Sequence, residues 1–162
     1  MSSPRPHIAV WKWLLLGLAI VFAIGVCWFG YSLHRLVDVK LPESYAAWTT
    51  GNLMVEYLAT HTNQWPRSWE DLRAATNSLL EKGGHVYVPL DRLPRFVKVE
   101  WHADTDRLLQ AARSNANARI HLITRVDGSP LWTVWGPDTE PNTKVMGYLR
   151  WSLTTSNTGS SQ

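Results

Sequence analysis

Apolar residues follow three rhythms along this chain, and each predicts a different element. The first is an unbroken run: from Trp13 to Leu33 no side chain carries a charge. At helical rise about twenty such residues cross a hydrocarbon layer of about 30 Å. A backbone in lipid must satisfy its own hydrogen bonds, so the run predicts one transmembrane helix. No later stretch matches it in length or apolarity.

The second rhythm is helical. From 44 to about 61 an apolar stripe at Ala47, Gly51, Met54 and Leu58, flanked by Trp48 and Val55, opposes a polar one at Thr49, Asn52, Glu56, Thr60 and Asn63. That is the period of an amphipathic helix. Pro42 ahead of it suits a helix start or a kink. Another helix is expected after Pro66, where Ser68 and Asp71 stand three apart as in a capping box. Trp69, Leu72, Thr76, Leu79 and Leu80 form its inward face, and Glu70, Arg73, Asn77 and Glu81 its wet one. Gly83 and Gly84 end it.

Beyond Gly84 the period shortens to two. Val97, Val99 and Trp101 alternate with Lys98, Glu100 and His102, and Ile120, Leu122, Thr124 and Val126 with Arg119, His121 and Arg125. Half-buried strands alternate in this way. The turn-forming run from Asp127 to Pro130 precedes 131–135, which predicts a hairpin. Residues 143–153 fit either a third strand or a short helix, and 154–162 hold nothing to bury and are expected to form a disordered tail. Helices followed by strands imply an α+β fold: an N-terminal transmembrane helix, then amphipathic helices packed on a small antiparallel sheet. The expected plan is an N-terminal flank at 1–12, the span at 13–33, an exported domain at 34–153 and the tail.

The flanks suggest an orientation. Arg5, Lys12 and the α-amine precede the run without an acid, whereas Arg35 and Lys40 follow it beside Asp38 and Glu43. Lys and Arg alone tie, and the amine tips the N-terminus towards the cytoplasm, leaving the body outside a cell membrane as in a signal-anchor. Trp11, Trp13, Trp28 and Tyr31 form an interfacial belt, since amphipathic rings settle at headgroup level. The competing reading is a cleaved signal peptide with small residues at Ala23 and Gly25. The apolar run continues past that point through Tyr31, as a stop-transfer anchor does. Val26 before Cys27 is too large for a lipoprotein site.

Composition changes the picture little. Cys27 is the sole cysteine and lies in the span, so the body has no disulfide and no disulfide-linked partner is expected. All 13 acidic residues follow the run and face 14 Lys and Arg there. A body so balanced offers no cationic stripe for nucleic acid, and no polybasic cluster adjoins the span.

Candidate chemistry is sparse. His102, Asp104 and His121 have the composition of a two-histidine, one-carboxylate iron triad. His102, however, falls on the wet face of its strand and Asp104 in a turn, so no metal, cofactor or catalytic residue is assigned. Seven of the ten tryptophans lie in the body. Trp48, Trp69 and Trp101 fall on inward faces, whereas Trp65 and Trp132 are the candidates for exposed aromatic contacts to a ligand.

The helix containing Leu53, Met54, Val55, Glu56, Tyr57 and Leu58, followed by Trp65-Pro66 and Asp71-Leu72, resembles the start of the heads of type II secretion pseudopilins and related type IV pilins. The resemblance covers 44–72. No glycine immediately precedes the apolar run and no glutamate stands five residues into it, so the prepilin cleavage signature is absent. The resemblance implies a pilin-like shape: an apolar span, a helical continuation and a small head. The expected function is a membrane-anchored, extracytoplasmic structural or assembly component of an envelope or secretion machine, with the lipid bilayer and other envelope proteins as partners. The alternatives are a tethered module that binds cell-wall glycan or peptide through exposed tryptophans, and an enzyme of unknown type.

Overall fold

The computed structural model describes residues 7–114, 120–131, 136 and 140–158. The chain divides after Val39 into two compact units. The first is essentially one helix, α1 (His7–Arg35), whose 29 residues extend about 43 Å at helical rise. None of residues 11–39 is buried, and Val21 and Phe22 are 68% and 72% exposed. Among the described residues it supplies the one stretch long and apolar enough to cross a membrane. A π-helical turn, Leu36–Lys40, follows, with His34 paired to Asp38 across one turn. Pro42 explains the widened backbone: it has no N–H for the carbonyl of residue 38, and its ring crowds that oxygen.

The second unit is built around α2 (Leu41–Thr60). The expected inward stripe is buried, with Ala47, Met54 and Leu58 wholly inside beside Ala46 and Leu53. The expected wet stripe is not all wet, because Thr49 and Glu56 are buried too. Helices α3 (Leu72–Glu81) and α5 (Pro141–Thr158) both pack on α2 and strand β1 reaches it, so one helix is enclosed from several sides. Gly51 permits the closest approach, since a Cβ there would lie 3.0 Å from the Cα and Cβ of Pro141.

Helix α3 begins later than the capping-box reading required. Asp71 accepts the N–H of Arg67 (2.7 Å) in the turn ahead of it, and the inward residues are Leu72 and Ala75, while Leu80 points to solvent. The end is as expected. Gly83, at φ +76°, donates to Leu80 O (3.0 Å), and Gly84 to Leu79 O (2.9 Å), which is a Schellman cap.

A 3-10 turn (Leu90–Arg95) leads into β1 (Val97–Val99), which pairs antiparallel with β2 (Ile123–Arg125) so that Val97 faces Arg125 and Val99 faces Ile123. Between them runs α4 (Thr105–Ser114), which packs on α5. The ribbon is shorter than its alternation suggested. Trp101 lies beyond β1 in a turn, edge-on to Trp69 with ring centroids 5.0 Å apart. Leu122 and Ile123 are both buried and Val126 is exposed, because the turn of 125–129 takes over at Val126. Trp132 and the rest of the second hairpin arm lie outside the described residues.

The ambiguous segment is helix. Glu140 starts α5 by accepting the N–H of Thr143 (2.7 Å) and its hydroxyl (2.9 Å). The helix runs on to Thr158, so 154–158 are helical rather than the structureless tail expected from composition; 159–162 lie outside the described residues. Buried Asn142 joins helix to ribbon: its Oδ1 accepts the N–H groups of Leu122 (2.9 Å) and Ile123 (2.8 Å), and its Nδ2 donates to Ile123 O (2.8 Å). One amide thus occupies the strand end as a neighbouring strand would. Among the described residues the body is therefore mostly helical, with a small two-stranded antiparallel sheet.

Candidate functional site

The residues that the pattern placed at a membrane interface, Trp11, Trp13, Trp28 and Tyr31, all stand exposed on α1. Of the two it placed at a ligand site, Trp132 lies outside the described residues and Trp65 is not exposed. Trp65 is only 8% exposed, and its indole N–H donates to Glu100 O (2.8 Å), so it bolts the loop after α2 to the end of β1 and offers no platform. A tryptophan before a proline sits in a turn, where no periodicity tells which way it points, and its partner is 35 residues away. Asp104 caps α4 by accepting the N–H groups of Asp106 (2.9 Å) and Arg107 (3.3 Å). No group of three or more metal-capable side chains occurs among the described residues.

What the fold assembles instead is an aromatic and cationic cluster over α2 that sequence reasoning missed. Tyr45 and Trp48 lie one turn apart on the half-buried side of the helix, and Tyr87 packs against both with centroids 5.1 Å from each. The bend carrying Tyr87 is pinned by the N–H of that residue, which donates to the hydroxyl of Thr49 (3.2 Å). Tyr87 remains 43% exposed, and His85 lies 5.8 Å from it. From α5, Lys144 extends over Trp48, with Nζ 5.4 Å from the ring centroid, and donates to Asn52 Oδ1 (2.5 Å). Burial holds the Lys144 amine below the usual lysine range. Tyr45, Trp48 and Asn52 stand at helical spacings of three and four, although the stripe pattern set Trp48 and Asn52 on opposing sides; Tyr87 and Lys144 arrive from elsewhere in the chain.

Two buried carboxylates mark the ends of α2. Glu56 is desolvated, which raises its pKa, but hydrogen bonds from Lys82 Nζ and Ser78 Oγ (each 2.6 Å) outweigh burial and hold it below the carboxylate range. Glu43 goes the other way. Burial raises its pKa more than Arg125 lowers it, although Arg125 Nε lies 2.7 Å from Oε1. That approach is out of line for a hydrogen bond, so Oε1 receives charge without a directed donor. Both carboxylates tie α2 to a neighbour.

Compared with known proteins, the chain matches no family model, no curated protein and no solved structure.

Proposed function

We propose that this chain is a single-pass membrane protein whose N-terminus is cytoplasmic, and whose body stands outside the cytoplasm as a pilin-like structural or assembly component of an envelope machine. The observation that carries the reading is the apolar surface of α1, open on every side, with aromatic rings near both ends. Such a surface is stable in lipid and untenable in water. Action by association fits side chains engaged in packing, capping and ion pairs.

The test is extraction. Membranes containing the protein should retain it through high salt and carbonate and release it only to detergent, because screening charge does not reverse apolar burial. A soluble mature form beginning near Val26 would show that the run is a cleaved signal. Sidedness follows from labelling: a cysteine at Gly159 should react with an impermeant thiol reagent in spheroplasts, and one at Ser3 should not. Opposite labelling would invert the orientation, and failure to cross-link to any envelope component at native abundance would remove the assembly role.

A further inference from the structure

The seam between α2 and α5 contains a cation that meets no anion among the described residues. Arg73, Lys82 and Arg125 each meet a carboxylate, at 2.7, 2.6 and 2.7 Å, whereas no carboxylate among the described residues lies within ion-pair distance of Lys144. The missing Cβ of Gly51 lets Pro141 close on α2, and Lys144 leaves α5 one turn later, so its ammonium is drawn against the helix. There it finds an amide oxygen, Asn52 Oδ1, and the face of Trp48. A neutral acceptor and a ring quadrupole compensate only part of the cost of taking a full charge out of water. One of the three ammonium donors is committed to Asn52, which leaves donors for an incoming group.

We propose that Lys144, Asn52 and the rings of Trp48 and Tyr87 form a binding site for a small oxyanion, a carboxylate or phosphate, whose carrier lies on the exposed aromatic face. Lysine suits this role as a compact point charge that accepts either oxyanion without demanding the planar fork of arginine. Tyr87 supplies the wall: it packs on Trp48 at 5.1 Å, is partly open to solvent, and also packs on Tyr45 at 5.1 Å. An oxyanion paired with the amine would also offset, by its opposite charge, the burial that lowers the amine's pKa. The site lies wholly within the body and does not depend on the reading of α1 as an anchor.

The test is a titration of the full chain, purified in non-ionic detergent, with inorganic phosphate and separately with benzoate at constant ionic strength. Binding is read from the nitrogen resonance of the Lys144 amine. Saturation by at least one probe, with the amine pKa moving upward, is the expected result. Lys144→Met should weaken binding by about tenfold or more. Asn52→Asp is the second variant, because it supplies the missing negative charge from within: it should raise the amine pKa without ligand and weaken the probe about as much. Mixed micelles containing an anionic phospholipid separate the sources. Competition with the soluble probe assigns the site to a lipid headgroup, and its absence to a free oxyanion. No saturation by either probe, or saturation unchanged in both variants, overturns the proposal.

Discussion

Helices α1 and α2 follow one another in the chain and treat side chains in opposite ways. The first leaves leucine, isoleucine and phenylalanine open on every side, while the second hides Ser44, Thr49, Thr50 and Glu56 beside its alanines and leucines. Composition alone would suggest the reverse. A helix is buried by what surrounds it, and α2 has α3, α5 and the ribbon around it, whereas the large apolar side chains of α1 are exposed. The polar residues inside α2 are tolerable because each finds a partner: Thr50 returns its hydroxyl to Ala46 O (2.8 Å), Thr49 accepts from Tyr87, and Glu56 accepts from Ser78 and Lys82.

The contrast can be broken most strongly by truncating the same residue type in each helix. Leu53→Ala, at a wholly buried position, should cost about 2–5 kcal/mol in urea unfolding of the body, as cavity formation in a packed core does. Leu18→Ala, on open α1, should leave that transition unmoved, and equal losses at both sites would mean that α1 packs on protein.

A charge distinguishes the media. Val21→Arg should disfavour membrane insertion by about 3 kcal/mol, read as the share of chain in the carbonate-resistant fraction, with the body's unfolding midpoint unchanged.

Acid should separate the two buried glutamates. The folded pKa of Glu56 lies below its ordinary value, so its contribution is complete above the carboxylate range and is lost as pH falls through the folded value. Glu56→Gln should therefore cost about 1–3 kcal/mol near neutrality, and the gap from wild type should close on acidification. Glu43, raised by burial, has the opposite sign: its charge costs stability near neutrality, and that cost disappears as pH falls from the folded value through the ordinary one. Wild type should then gain on Glu43→Gln as pH drops. Unfolding midpoints of the three proteins across the acid range check both signs.

The smallest effect belongs at the end of α3. Gly83→Ala has open space for a Cβ but must hold φ at +76°, and should cost about 1 kcal/mol by thermal melting.

Local pattern carried far where one element decided its own fate. The helix of the apolar run, the inward face of α2 and the stop at Gly83-Gly84 all follow from neighbours within a turn or two of sequence. Pattern failed where burial came from a distance. Trp65 turned inward for a carbonyl 35 residues away, and Leu80 turned outward because Leu72 and Ala75 define the face that meets α2. Residues 143–153 mix apolar and polar positions without a clean period, and packing on both α2 and α4 made them helix.

The sequence by itself determined that this protein has one apolar helix able to span a membrane, a cysteine-free body after it and an amphipathic helix at the body's start, because length, charge and period act within a single segment. Only the tertiary structure decided that Thr49 and Glu56 are inside, that Asn142 completes the ribbon, and that Lys144 lies over Trp48 with no carboxylate partner among the described residues. Those outcomes depend on which groups meet across tens of residues, and the free energy of a buried polar group is set by the partner it meets there rather than by its neighbours in the chain.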